Sequence, residues 1–368
     1  MNLTGIFDTH AHYDDERFDE DREALLALLP QKGVCGVINC GTTVATSQVS
    51  VSLAERYGYF YAAAGIHPEE ANGITDADFD ALLPLFNHPK VVAVGEIGLD
   101  YYWDSVAKET QLDVFARQLD LANQLHLPVI IHDREAHEDT LRLLKQYRPQ
   151  GVMHCFSGSA EFTKEILKLG LYIGLGGAAT FKNARKAVEV AAMCPADCLL
   201  LETDCPYMAP VPHRGKRNDS SLIVHVAQRL AEVRGEEAQT LVDRCRENAK
   251  RLFQIETSDR TGNSLVTVTI DRPLGSVHPK YPNLVYPINY GYVAGVSAPD
   301  GDWQDAYLLG VNEPVQQFTG KLIAVIHRED DAEEKWVVCP ESCSFTKEEI
   351  EDAVRFQEQF FHSKIRMI

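Results

Sequence analysis

Residues 91–154 read VVAVGEIGLDYYWDSVAKETQLDVFARQLDLANQLHLPVIIHDREAHEDTLRLLKQYRPQGVMH. Three short runs of β-branched and small apolar residues begin at Val91, Pro128 and Gly151. Between them apolar residues recur every three or four positions, most clearly from Glu109 to Leu125. A short apolar run suits a parallel strand buried on both faces, and the 3.6-residue period suits a helix laid over it. Alternation of the two is the signature of repeated βα units.

The same alternation extends in both directions. Further runs begin near Gly5, Val34 and Tyr59 on one side and near Leu171 and Cys198 on the other, the last followed by a helical stretch from Leu222 to Val233. Eight βα units predict an α/β fold, a TIM-like (β/α)8 barrel, over residues 1–256. The polar, glycine-containing stretch ETSDRTGNS, residues 256–264, has no hydrophobic period, and a linker is expected over 257–263. Beyond it, residues 264–368 predict a second, small β-rich domain. Its strands are expected at Leu265 to Ile270, Ala306 to Val311, Lys321 to His327 and Lys335 to Val338, ending in a helix from Thr346 to about Phe361.

Composition narrows the function. With 45% hydrophobic and 24% charged residues the chain has the makeup of a soluble globular protein. The start MNLTGIFD lacks a basic segment leading into an apolar one, and no later run of about 18 apolar residues occurs, so neither export nor a membrane partner is expected. Nine scattered cysteines without a Cys-x-x-Cys pair indicate neither a disulfide framework nor a thiolate zinc site, and a reducing cytoplasm is the expected location. The net charge of −19, of which −7 falls after residue 263, excludes a broad electrostatic grip on nucleic acid. Contact with a polyanion would have to be local, helped by divalent ions at an acidic site.

The candidate chemistry lies at strand ends. His10 and His12 stand two apart at the end of the first strand and so face the same side. Glu96, His132 and His154 end the fourth, fifth and sixth strands, and Asp204 follows the eighth. In a TIM barrel the C-terminal strand ends build the active site, whereas residues needed only for stability have no reason to collect there. Four histidines and two carboxylates suit two divalent ions acting on a phosphoryl group, with Glu96 as the bridge and Asp204 orienting or deprotonating water. Such donors accept Mg2+, Mn2+ or Zn2+ in differing degree. Cys155 and Cys205 flank ligands, but free cysteines mostly behave as small hydrophobes.

Several motifs now carry a resemblance: THAH at 9–12, GIHP at 65–68, GEIGLD at 95–100, HCFSG at 154–158, ETDCP at 202–206 and PHRGKRN at 212–218. In this order and together they resemble the TatD family of metal-dependent deoxyribonucleases. The resemblance implies metal binding by His10, His12, Glu96, His132, His154 and Asp204, a DNA substrate, and 3′ to 5′ exonuclease action on single strands. It also implies phosphate contacts from Arg214, Lys216 and Arg217, although these would equally suit a solvated basic loop. His67 is expected to line the pocket or to cap a helix. Arg134 is expected to face substrate or to pair with Glu135 or Asp139, and Tyr101, Tyr102 and Trp103 to stack a base or to cover the barrel mouth. Family members commonly carry a second histidine where this chain has Glu69, which puts substrate contact there in doubt. Barrels with similar ligand sets also hydrolyse amides, lactones and phosphotriesters, often with a carboxylated lysine where Glu96 stands.

In the second domain, YPINYGY at 286–292 followed by DGDWQD at 300–305 resembles the central block of soluble inorganic pyrophosphatases. That resemblance implies Mg2+ at Asp300, Asp302 and Asp305. Asp330, Asp331, Glu333 and Lys335 could match the family's second acidic cluster and lysine. The full early set of phosphate contacts finds no clear place on Arg272, His278 and Lys280, so either pyrophosphate hydrolysis or a scaffold that only binds a phosphorylated ligand or a partner is expected.

Overall fold

The computed structural model describes residues 3–255, 265–278, 284–297, 303–328 and 334–367. The chain divides into two compact units, Met1–Glu256 and Thr257–Ile368. The expected linker, 257–263, lies outside the described residues.

The first unit alternates strand and helix throughout: β1 Ile6–Ala11, α1 Arg22–Leu28, β2 Val34–Cys40, α2 Val44–Arg56, β3 Phe60–Ala64, α3 Asp76–Leu82, β4 Val91–Asp100, α4 Lys108–Leu125, β5 Val129–Arg134, α5 His137–Tyr147, β6 Gly151–Met153, α6 Ala160–Lys168, β7 Tyr172–Leu175, α7 Arg185–Met193, β8 Leu199–Leu201, α8 Ile223–Arg234 and α9 Ala238–Leu252. Neighbouring strands pair in parallel from β1 round to β8. Phe7, Ile38, Ala63, Ala93, Ile130, Val152 and Leu200, from seven different strands, share one buried cluster with Leu252, Phe253 and Ile255. Residues of many strands meet in this way only inside a barrel, and the segment ending α9 plugs it. The Arg251 guanidinium donates to the Tyr172 hydroxyl at the start of β7, which places the plug at the N-terminal end of the strands.

The ring closes differently between β8 and β1. A single parallel bridge joins Ala11 to Cys205, and the Asp204 and His12 amides donate to the carbonyls of His10 and Cys205 at 2.9 and 2.8 Å. Below them the fully buried Asp8 carboxylate accepts from the Thr203 amide at 2.9 Å, the Thr203 hydroxyl at 2.6 Å and the Ser220 hydroxyl at 2.6 Å. Burial pushes Asp8 up to about 6, against the lowering effect of these donors.

The second unit comprises β9 Leu265–Arg272, β10 Asn289–Ser297, β11 Trp303–Leu308, β12 Gln317–Arg328, β13 Glu334–Cys339, α10 Lys347–Glu358 and β14 Ser363–Met367. Pairing runs β13-β11-β10-β9-β12, and β12 pairs again with β13, so five strands close a small barrel to which β14 adds on the β12 edge. Val268, Ile270, Val293, Leu308, Leu322 and Trp336 fill one apolar cluster. Ile350 and Val354 of α10 cover a second, with Tyr286, Tyr290 and Tyr307. The expected strands are present with shifted ends, while β10 and β14 were not anticipated. Gly291 is required in β10, because a Cβ there would lie 1.9 Å from the Thr269 carbonyl oxygen of β9.

Replacing Asp8 by Ala removes the acceptor shared by the His10 and Thr203 amides and the Thr203 and Ser220 hydroxyls at the seam, and each donor left unsatisfied costs about 1–3 kcal/mol. Urea unfolding is expected to show a loss of about 3 kcal/mol or more. A loss under about 1 kcal/mol, the net worth of one ordinary hydrogen bond, would show that the seam does not depend on it.

Candidate active site

Strand ends deliver the functional side chains to one point. His10 lies in β1 and His12 just beyond it, Glu96 lies in β4 and His132 in β5, and His154 and Asp204 follow β6 and β8. Glu96, only 3% exposed, sits at the centre. Its Oε2 lies 3.3 Å from His10 Nε2 and 3.4 Å from His12 Nε2. Its Oε1 lies 2.8 Å from His154 Nε2, 3.0 Å from His132 Nδ1 and 3.7 Å from His67 Nε2. One carboxylate thus turns one oxygen to each of two histidine groups. Asp204 Oδ1 approaches the first group, 3.5 Å from His12 Nε2 and 3.8 Å from His10 Nε2. Three overlapping sets of ligand atoms lie within 4.8 Å of one another: His10, His12 and Glu96; His10, His154 and Asp204; and His67, Glu96 and His132.

Outer groups hold these rings in place. His12 Nδ1 lies 2.9 Å from the Cys40 carbonyl, an arrangement in which Nδ1–H donates and Nε2 is left to face the cluster. Asp100 Oδ2 accepts from His132 Nε2 at 2.9 Å, which aims Nδ1 at Glu96. Glu202, fully buried, takes the Cys155 amide at 2.5 Å and stands 3.7 Å from His154 Nδ1. It fits because residue 174 is glycine, where a Cβ would come within 2.4 Å of Glu202 Oε2. Sequence reasoning quoted Asp8, Asp100 and Glu202 within motifs but gave them no role.

The cluster is strongly polarised. Burial works against charge on His132, yet hydrogen bonds to Asp100 and Glu96 outweigh it and lift this ring to about 10. His12 is likewise raised, burial being overcome by Asp204 and Glu96. Burial lowers His10 to about 4 and His67 to about 3. Burial opposes ionisation of Glu96, but the surrounding imidazoles hold it well below the usual carboxylate range. Burial raises Glu202 to about 8. The thiols of Cys155 and Cys205 are pushed well up by burial, which keeps them protonated and poor donors. All nine cysteines are free. A buried set of imidazoles and carboxylates with this many converging nitrogen and oxygen atoms fits divalent cations, which would replace protons on His12 and His132.

The family model for TatD-related DNase matches residues 7–254. The chain belongs to this family. The uncharacterized metal-dependent hydrolase YabD of Bacillus subtilis is 42% identical over 253 residues, covering 68% of this chain and 99% of that protein. A 3′-5′ ssDNA/RNA exonuclease, TatD of Salmonella typhimurium, is 34% identical over 258 residues, 68% of this chain and 99% of its own length. In structure, the TatD homologue YJJV from Escherichia coli superposes with a TM-score of 0.65 at 36% identity, covering 68% and 98%. TatD relatives thus account for the first unit, and this chain is a metal-dependent hydrolase acting on ester bonds. Solved inorganic pyrophosphatases from Coxiella burnetii and Ehrlichia chaffeensis align with 30% and 29% of the chain, each at a TM-score of 0.24.

Within this TatD barrel the residues expected on the substrate side differ from one another. His67 caps the short turn Pro68–Glu70, its Nδ1 accepting from the Glu69 amide at 3.2 Å, and its ring meets His132 edge-on at 4.5 Å. Arg134 pairs with neither Glu135 nor Asp139 among the described residues. Its guanidinium lies 3.7 Å over the Tyr102 ring. Arg214 lies 4.3 Å over Phe181, Lys216 is exposed, and Arg217 makes a bidentate pair with Asp21 at 2.6 and 2.7 Å. Arg217 is therefore neutralised in place. In the second unit, Asp305 accepts from the Tyr290 hydroxyl at 2.5 Å and pairs with Lys335. Asp300 and Asp302 lie outside the described residues, as do Lys280, Asp330, Asp331 and Glu333. No helix among the described residues is long and apolar enough to cross a membrane.

Removing the partner that orients a ligand histidine typically weakens metal affinity by about 10- to 100-fold, and Asp100→Asn is expected to do so in calorimetric titration with Mn2+ or Zn2+. Because His12 and His132 sit above the usual histidine range, they hold protons at neutral pH that a metal must expel. Affinity is expected to rise with pH, and titration in buffers of different ionisation enthalpy to show proton release.

Proposed function

We propose that the first unit is a 3′ to 5′ exonuclease acting on single-stranded DNA through two divalent metal ions. The observation that carries this reading is the Glu96 carboxylate, with one oxygen facing His10 and His12 and the other facing His132 and His154. Glu96 would hold a cation together with His10, His12 and Asp204 through one oxygen and a second with His132 and His154 through the other. Bound ions supply the Lewis acidity and charge neutralisation that phosphodiester hydrolysis requires. Asp204, half-buried at the mouth with its carboxylate held ionised by the hydrogen bond from His12 and the neighbouring imidazoles against burial, orients water and accepts its proton. The relative named as a 3′-5′ ssDNA/RNA exonuclease supports the polarity and the strand preference.

The purified chain is expected to release nucleotides from single-stranded DNA with Mg2+ or Mn2+, and Glu96→Ala and Asp204→Ala to lower the rate by about 10²-fold or more. Equal release by both variants would mean a contaminating nuclease. No release with any metal would point to another ester or to an amide.

For the second unit we propose a site for pyrophosphate or a phosphorylated ligand around Asp305 and Lys335, using Mg2+ held by Asp305 with Asp300 and Asp302. Phosphate release from pyrophosphate by the full chain, lost in Asp305→Asn, is the expected result. Release that persists in the variant would remove Asp305 from the site.

A further inference from the structure

The turn after β4 exposes two large aromatic side chains side by side. Tyr102 is 49% and Trp103 50% exposed, and their rings meet at right angles with centroids 4.8 Å apart. One exposed aromatic needs no explanation, but two adjoining ones leave apolar area in water that folding alone gains nothing from showing. The turn is also held firmly. Asp100 Oδ1 accepts from the amides of Tyr102 and Trp103 at 2.9 and 3.2 Å, while its Oδ2 takes His132 Nε2 at 2.9 Å. A single buried carboxylate therefore fixes both a ring of the metal cluster and the backbone of the aromatic turn. Arg134, two residues beyond His132 and opposite Asp100 in the β4–β5 register, rests its guanidinium on Tyr102, 5.6 Å from the Trp103 ring centre.

We propose that Trp103, braced by Tyr102, is the platform on which one unpaired base of the single strand stacks, and that Arg134 holds the adjoining phosphate. The inference rests on the nuclease reading and adds to it the source of strand preference. A base can offer its face to an aromatic ring only when no neighbouring base covers it, which favours a strand end over duplex. Stacking also needs no positive charge, so it suits a chain of net charge −19 that cannot attract a polyanion broadly. Tyr102 covers one face of the guanidinium and leaves its donors for the phosphate oxygens.

The test is a cycle of protein and substrate changes read by binding. Fluorescence anisotropy of the full chain is measured with a labelled oligothymidylate whose last 3′ linkage is a hydrolysis-resistant phosphorothioate, and with the same strand lacking its terminal base. Base stacking of about 1–3 kcal/mol predicts that Trp103→Ala weakens binding of the intact strand about tenfold, that removing the base does the same, and that both together cost no more than either alone. Trp103→Phe is expected to retain most of the affinity. Penalties that multiply, or intact binding by Trp103→Ala, overturn the platform, as does a wild-type chain that fails to bind the strand. Failure of the nuclease reading shows up separately, as absence of metal-dependent hydrolysis of an unmodified strand.

Discussion

The barrel depends on a seam that its strands alone do not close. From β1 to β8 each strand is stitched to the next, but among the described residues one bridge, from Ala11 to Cys205 just beyond β8, joins the two ends, and the other hydrogen bonds there run through the Asp8 carboxylate, the Thr9 hydroxyl on the Leu201 carbonyl and a few loop amides. This is also where the ligands from the two ends of the barrel meet: His10 and His12 belong to β1, and Asp204 follows β8. The hydrogen bond from the Asp204 amide to the His10 carbonyl sets their spacing directly. An ionised group buried under the site costs solvation, and its donors offset that cost by satisfying it. Structural closure and ligand placement are therefore one problem, solved by the same residues.

The cluster above the seam suits cations. Glu96 is a buried carboxylate and Asp204 a half-buried one, and imidazoles surround both. Asp100, the Cys40 carbonyl and Glu202 stand against the far nitrogens of His132, His12 and His154. The first two orient a ring through a hydrogen bond and bias which nitrogen faces inward, while Glu202 stands 3.7 Å from His154 Nδ1 without bonding it. Rings fixed in this way lose little freedom when a cation enters, which is the physical content of preorganisation.

Much of this was legible in the sequence, for reasons that differ by residue. The starts of all eight strands fall within one residue of the expected positions, because an apolar run bounded by polar turns marks a buried parallel strand clearly. The candidate ligands were legible as a group that converges, because histidine and carboxylate stood at strand ends, where a barrel has no structural need for them. Asp8, Asp100 and Glu202 escaped because their partners lie on other strands, and a carboxylate in a strand looks alike whether it binds a hydroxyl, a ring or water. The pairing of Arg217 with Asp21 was not legible, since nothing local announces a partner 196 residues away. In the second unit, β10 was hidden inside a motif rich in glycine and tyrosine. The short run SKIRM of β14 has too few apolar residues to declare itself without the edge of β12 beside it.

Two arginines at the barrel mouth rest on rings instead of carboxylates. Arg134 lies on Tyr102 and Arg214 on Phe181, and neither has an acidic partner within ion-pair distance among the described residues. Each keeps its whole charge, in a protein where most cations are neutralised locally. Two such phosphate contacts on a single strand would displace few condensed counterions, giving a slope of log affinity against log salt of only about −1.4. The remaining surface repels the strand, and added salt screens that repulsion. If the strand is held by ring faces and cations at one spot, as proposed, binding tolerates ionic strength at which a basic nucleic-acid binder releases its ligand.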